Sequence, residues 1–268
     1  MKTVLVTGST DGIGFETARQ LLVEGMHVLV HGRNEKKATR SAAELARRVP
    51  GSRTTAVWGD FSRMSEVAEL ASQVNAVAPV LDVLINNAGI YSRRRIMTDD
   101  GLELTMAVNH FAPYLLTRLI GPLLSKAPAG RIVNVSSMAH QSGEIDLDDL
   151  TFEHGFDGYG AYSASKLVNI LFTRALANRL AGTGVTANCL HPGVIDTKLL
   201  HAGFDIKGES VQSGAETSVY LATSEKVANV SGKYFVNCRE TSPSRRARDA
   251  RLAEALWSQS EKLVGEYL

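Results

Sequence analysis

The chain has 268 residues, 44% of them hydrophobic and 21% charged, with a formal net charge of +1. That length allows one large domain or two small ones around a substantial core, and the composition is ordinary for a soluble globular protein. The near-neutral balance excludes general nucleic-acid binding, which needs a strongly basic face, and no stretch approaches the ~20 apolar residues of a membrane span.

Met1 and Lys2 lead directly into an apolar run too short for a signal peptide, so the expected location is cytoplasmic. Cys189 and Cys238 have no CxxC spacing and no nearby histidine pair, and read as reduced thiols. The histidines show no metal spacing; His110, His140, His154 and His191 are expected to pack or line a pocket, and no metal is expected.

Val4, Leu5 and Val6 form a short apolar run ending in a glycine turn, as a buried parallel strand should. A helical pattern follows through Ala18, Leu21 and Leu22 to Gly25. Strands are expected at 27–31, 54–58, 80–85, 131–135, 185–190 and 233–236. Helices are expected at 35–49, 63–77, 99–124, from Tyr162 to about 180, and 248–264. This alternation implies an α/β fold: a doubly wound parallel sheet of Rossmann type, about seven strands with helices on both faces. No linker splits it, so residues 1–268 read as a single dinucleotide-binding domain. Two irregular stretches, 139–160 and 196–210, follow strand carboxyl ends and are expected to supply a substrate wall and a lid.

Gly8, Gly12 and Gly14 are spaced GxxxGxG between a strand and a helix. Glycines admit a pyrophosphate to the backbone, and the helix N-terminus offers free N–H groups and a positive dipole end. At the end of the second strand, His31-Gly32-Arg33-Asn34 carries no carboxylate to grip a ribose. Arg33 offers instead a guanidinium suited to a 2′-phosphate, which favours NADP(H), with NAD(H) as the alternative. Asp11 inside the turn weighs slightly against that preference.

Tyr162 and Lys166 stand four residues apart and share one face of a helix. A phenol normally ionises near pH ~10, and a neighbouring ammonium favours the phenolate. Such a pair can exchange a proton with a substrate oxygen, and a nearby hydroxyl can steady developing alkoxide.

These residues resemble the short-chain dehydrogenase/reductase family, in its single-domain branch. Thr7 to Gly14 matches TGxxxGIG, Asn86 to Gly89 matches NNAG, Tyr162 to Lys166 matches YxxxK, and Pro192-Gly193 with Thr197 matches the PG turn and its threonine. The segments 131–140 and 165–172 are similar to the retinol-dehydrogenase-like members, which act on apolar aldehydes, ketones and alcohols.

The resemblance implies a catalytic set of Asn109, Ser137, Tyr162 and Lys166. Tyr162 would be the acid or base, Lys166 would lower its pKa and hold the nicotinamide ribose, Ser137 would bond the substrate oxygen, and Asn109 would anchor a water relay. Cofactor contacts would come from Gly8, Ser9, Thr10, Asp11, Gly12, Ile13 and Gly14, from Arg33 and Asn34, and from Asp60 with Phe61 at the adenine. Asn87, Ala88 and Gly89 would pack along the adenosine ribose, while Pro192, Gly193, Ile195 and Thr197 would lie at the nicotinamide, the last two holding its carboxamide.

The implied activity is hydride transfer between NADP(H) and a small-molecule carbonyl or alcohol. An epimerase or dehydratase shares YxxxK but usually has a longer substrate domain, and a non-enzymatic NADP(H) sensor tends to lose a catalytic residue. Arg93, Arg94 and Arg95 read as a solvated loop more often than an anion site, and Arg245, Arg246 and Arg248 as exposed charges. Leu167, Ile170, Leu171 and Leu176 suit either a core or a partner helix, so a homo-oligomer stays open.

Overall fold

The computed structural model describes residues 1–204 and 206–268; position 205, inside the expected lid, lies outside the described residues. Its strands are β1 (Thr3–Val6), β2 (His27–Gly32), β3 (Arg53–Trp58), β4 (Val83–Asn86), β5 (Arg131–Val135), β6 (Thr186–His191), β7 (Tyr234–Val236) and β8 (Arg239–Thr241). They form one sheet in the order β3-β2-β1-β4-β5-β6-β7-β8. The first seven run parallel and β8 runs antiparallel to β7. The order reverses direction beside β1, and in such sheets ligands bind at that switch point, outside the strand carboxyl ends.

Alternation along the strands builds two cores. Leu5, Leu29, Leu84 and Ile132 face one side of the sheet, where α3 (Met64–Val77), α5 (Ala112–Leu124), α6 (Gly158–Arg179) and α9 (Ala250–Val264) cover them. Val4, Val6, Val28, Val30 and Ile85 face the other, under α1 (Gly12–Val23), α2 (Glu35–Arg48) and α8 (Val211–Thr223). With helices on both faces, the sheet is doubly wound as expected.

Strand β4 begins at Val83 and not at 80, a short helix (Lys198–Gly203) lies within the stretch expected to be irregular, and three further elements depart from the sequence-based expectation. The 99–124 helix starts later, at α4 (Leu104–Met106), because Gly101 takes a φ of 70° and the Glu103 side chain caps the Met106 N–H. It then passes through a π-turn (Ala107–Phe111) before α5. Helix α8 lacked a visible apolar stripe because its inward face is made of small residues, Gly214, Ala215, Thr217 and Ser218, which allow close packing on α1. Strand β8 is exposed and polar throughout, and so has no periodic signal. It is formed by the turn before it, where Asn237 and Cys238 both take positive φ (48° and 59°), the geometry of a tight hairpin.

The apolar positions of α6 serve the core: Leu167, Ile170, Leu171 and Leu176 are buried within the chain. Helix α9 covers this face. Trp257 lies 5.9 Å from the Phe172 ring and 5.0 Å from Tyr114, with the Arg179 guanidinium 4.0 Å above it. Trp257→Ala is expected to lower stability by about 3–5 kcal/mol, measured by urea unfolding.

Candidate active site

The glycine turn is laced to the neighbouring strand ends. Gly8 has a φ of 64°, and a Cβ there would stand 2.9 Å from Ala88 Cα; a Cβ on Gly14 would overlap the Asn87 amide nitrogen and the Gly8 carbonyl oxygen. Thr7 Oγ1 accepts from the Asn87 and Ala88 N–H groups at 2.9 and 3.0 Å, and Asn87 Nδ2 donates to Thr7 O at 2.8 Å. The Ser9 hydroxyl is buried, donating to Val6 O and accepting from His31 N. Thus the Ser9 and Asn87 side chains are occupied in bracing the turn.

His31 completes the brace, a role with no sequence signal because its partners are main-chain atoms of distant residues. Its Nδ1 accepts the Gly8 N–H at 3.0 Å, so Nε2 carries the proton and donates to Gly59 O at 3.1 Å. The ring stacks on Phe61 at 4.7 Å, and burial lowers its pKa to about 4, keeping it neutral.

At the start of α1, Asp11 accepts from Gly12 N at 2.9 Å. The Ile13 and Gly14 N–H groups have no partner among the described residues, two free donors at a helix N-terminus. Asp11 also pairs with Lys198, whose hydrogen bond holds the carboxyl below its usual range. The unfavourable charge in the turn is thereby countered. Arg33 is exposed just after β2, Asn34 caps α2 through Lys37 N (3.0 Å), and Asp60 holds Ser62 through N and Oγ (2.9 and 2.8 Å).

Helix α6 begins at Gly158, where Asp157 accepts from Gly160 N at 2.6 Å, and carries Tyr162 and Lys166 into the protein. Lys166 Nζ lies 5.5 Å from the Tyr162 ring centre and donates to Val135 O at 3.3 Å. Only 7% of Tyr162 and 3% of Lys166 is exposed. Burial pushes the Tyr162 phenol up to about 12, with the Ser137 hydroxyl pulling the other way, and lowers Lys166 to about 8. In the protein alone, burial is therefore the dominant influence on the phenol and raises its pKa.

Ser137 caps a 3-10 turn (Met138–Ser142), its Oγ accepting from Ala139 N at 3.2 Å. Asn109 lies in the π-turn, a distortion that recurs at functional sites. Its Oδ1 accepts from Ile90 N (2.8 Å), while Nδ2 donates to Ile90 O (3.0 Å) and Ser165 Oγ (2.9 Å). A Cβ on Gly89 would stand 3.4 Å from both Lys166 Nζ and Asn109 Oδ1, so the glycine keeps a cleft open between them. The four expected residues thus come to one place from three elements, the π-turn, the cap of the 3-10 turn and α6, linked through Tyr162 and Lys166.

Both irregular stretches wall this place. The 196–210 segment is closed at its stem by Asp196 N to Glu209 O (2.8 Å) and Glu209 N to Val194 O (2.7 Å). Thr197 caps a short helix, α7 (Lys198–Gly203), with its methyl 3.5 Å from where a Gly12 Cβ would be. The Ile195 side chain packs towards Gly214, next to the PG turn, where Gly193 has a φ of 100°.

Phe204 lies 5.7, 5.9 and 6.4 Å from the Tyr91, Tyr159 and Tyr162 rings, an aromatic cover over the largely buried Tyr162. The arginine run also ties down the walls: Arg93 Nε donates to Ala202 O and Arg95 Nε to Thr151 O, each at 2.9 Å. An open groove of about 520 Å³ beside Trp257 and Arg179 lies apart from these residues. Among the described residues, no group of three or more His, Cys, Asp or Glu side chains is placed to hold a metal.

The free amides of α1, the glycine cradle and the cleft at Gly89 fit an extended dinucleotide. Comparison with known proteins agrees. Residues 2–206 match the short chain dehydrogenase family model. Human retinol dehydrogenase 14 is 40% identical over 98% of this chain and 86% of its own length. A crystal structure of an uncharacterized protein from Mycobacterium paratuberculosis superposes with a TM-score of 0.83 at 33% identity, covering 99% of this chain and 94% of that one. Another, described as an NAD(P)-dependent gluconate 5-dehydrogenase from Beutenbergia cavernae with bound NADP, reaches 0.72 at 29% identity over 88% and 94% of the two chains. The chain belongs to the short-chain dehydrogenase family and is an NAD(P)-dependent oxidoreductase acting on alcohol groups.

Proposed function

We propose that the chain prefers NADP(H) and interconverts a small apolar carbonyl compound and its alcohol, with Tyr162 exchanging the proton. The observation that carries this reading is the convergence of Ser137, Tyr162 and Lys166 beneath an aromatic cover. The dinucleotide supplies the ring that gives or takes hydride and, when oxidised, a positive charge.

The chain's own residues do the rest. Ser137 accepts from Ala139 N with one lone pair, which orients the hydroxyl, and its O–H would donate to the substrate oxygen. Tyr162, protonated at neutral pH by its burial, is poised as the acid for reduction. Lys166 would hold the ribose hydroxyls and favour the phenolate once the site is filled. Asn109, whose side-chain amide is occupied by Ile90 and Ser165, keeps these segments in register, so a water relay would use its main chain.

Arg33, exposed just after β2, would pair with a 2′-phosphate, and the sequence carries no carboxylate at the end of β2 to oppose it. The cradle is formed by residues 8–14 and Asn87 to Gly89, with Asn34, Asp60 and Phe61 at the adenine end and Pro192, Gly193, Ile195 and Thr197 at the other. One domain carries both the cofactor and the substrate site. The aromatic cover and the retinol dehydrogenase relative favour an apolar substrate over a sugar acid. All four family residues are retained, which disfavours a non-enzymatic sensor. No helix among the described residues is long and apolar enough to cross a membrane, and a cytoplasmic location is part of this proposal.

Three variants test it. Tyr162→Phe is expected to lower kcat/KM for carbonyl reduction by about 10²–10⁴-fold with NADPH affinity preserved, as read by steady-state kinetics and fluorescence titration. Arg33→Leu is expected to cut the preference for NADPH over NADH by about 10- to 100-fold, from the ratio of kcat/KM values.

The third concerns stability. Burial lowers the pKa of Lys166 to about 8 in the folded protein, from the ordinary lysine value of 10.5. The unfolded chain therefore binds the proton more readily, and the penalty grows as pH falls from 10.5 to 8 and is complete below that. It amounts to about 3 kcal/mol at neutral pH. Lys166→Met should raise the thermal midpoint at pH 7 by about 2–6 °C while abolishing turnover, and the gain should vanish above pH ~10.5.

A further inference from the structure

Ser137 is held from its carbonyl side as well as its hydroxyl side, and the group that holds it is a histidine. His140, in the turn that Ser137 caps, is 1% exposed. Its Nε2 accepts the main-chain N–H of Ser244 at 3.1 Å. A peptide N–H can only donate, so Nε2 must be unprotonated and the ring proton must sit on Nδ1. Nδ1 lies 2.7 Å from Ser137 O and donates to it, and the His140 main-chain N–H reaches the same oxygen at 3.2 Å.

The chain therefore fixes the tautomer from both ends. The segment containing Ser244 is itself clasped to this turn: Arg246 Nη1 donates to Gly143 O at 3.4 Å and pairs with Glu144 at 3.1 Å. The ring meets Tyr234 of β7 edge-on at 5.1 Å, and its burial holds it below the ordinary histidine range.

We infer that His140 is a positioning residue for Ser137: its neutral imidazole transmits the placement of the segment at Ser244 to the Ser137 peptide, and so sets where the serine hydroxyl meets the substrate oxygen. The inference rests on Ser137 acting as proposed above. It makes the connection between β8 and α9 a support of the catalytic centre, although that segment contributes no group to the reaction. A protonated ring would set N–H against the Ser244 N–H and break the link.

The test is a double-mutant cycle of His140→Phe with Ser137→Ala, supported by His140→Asn, whose side-chain amide can replace the Nδ1 donor. His140→Phe should lower kcat about 10-fold with KM for NADPH within about 2-fold, and His140→Asn should recover most of that loss. On the Ser137→Ala background the His140→Phe effect should vanish. Equal losses on both backgrounds would overturn the inference, because a general structural role is additive.

Histidine ¹⁵N NMR gives a readout that needs no turnover. It should show His140 protonated at Nδ1 alone; an Nε2–H tautomer contradicts the link. A native protein inactive towards every carbonyl would defeat the proposed function, and the NMR result would still decide the His140–Ser244 contact.

Discussion

Placing an ammonium group inside the protein is the constraint around which this fold is arranged. Lys166 is drawn out of water beside the end of β5, where Val135 O is its hydrogen-bond partner, and Asn169 Nδ2 shares that acceptor at 3.3 Å. An ionised group so placed is unfavourable unless its surroundings are held rigidly by other contacts. The two cores supply that rigidity. Helix α6 is pinned by the sheet on one side and α9 on the other, so the lysine cannot relax towards solvent without unpacking Trp257 and its aromatic neighbours.

The same logic explains how many polar side chains in the site are occupied in holding other segments. Thr7, Ser9, His31 and Asn87 lace the glycine turn to the neighbouring strand ends through main-chain atoms, and Asn109 binds Ile90 and Ser165. Removing such a contact leaves buried donors and acceptors unpaired, which costs more than the bond's net contribution. Among the described residues, the groups left to meet a ligand include two amides of α1, the Arg33 guanidinium, the paired Ser137 and Tyr162 hydroxyls, and the cleft beside Gly89.

Strands β1 to β7 and the glycine turn were legible because their signals are local: apolar runs of strand length, glycines at fixed spacing, and a helix pattern following. The catalytic residues were legible through family motifs. Helix α8 and strand β8 were not, since one is packed through small residues and the other is made by two left-handed turn residues. His31 and His140 were read as ordinary strand and packing residues because their partners lie far along the chain, Gly59 and Ser244. The burial of Tyr162 was hidden for another reason: the spacing of the phenol and the ammonium is visible in sequence, but the desolvation that raises the phenol in the protein alone is a property of the packed fold.

The central claim is that burial keeps Tyr162 protonated in the protein alone and that filling the site brings the phenol towards its working range. Titration of ¹³C-labelled tyrosine by NMR, with Tyr162 assigned by its Phe variant, measures this directly. The account predicts no ionisation of Tyr162 below pH ~10 in the free protein, and ionisation at clearly lower pH with saturating NADP⁺. Ionisation near neutral pH without cofactor, or a titration that NADP⁺ leaves unmoved, would contradict it.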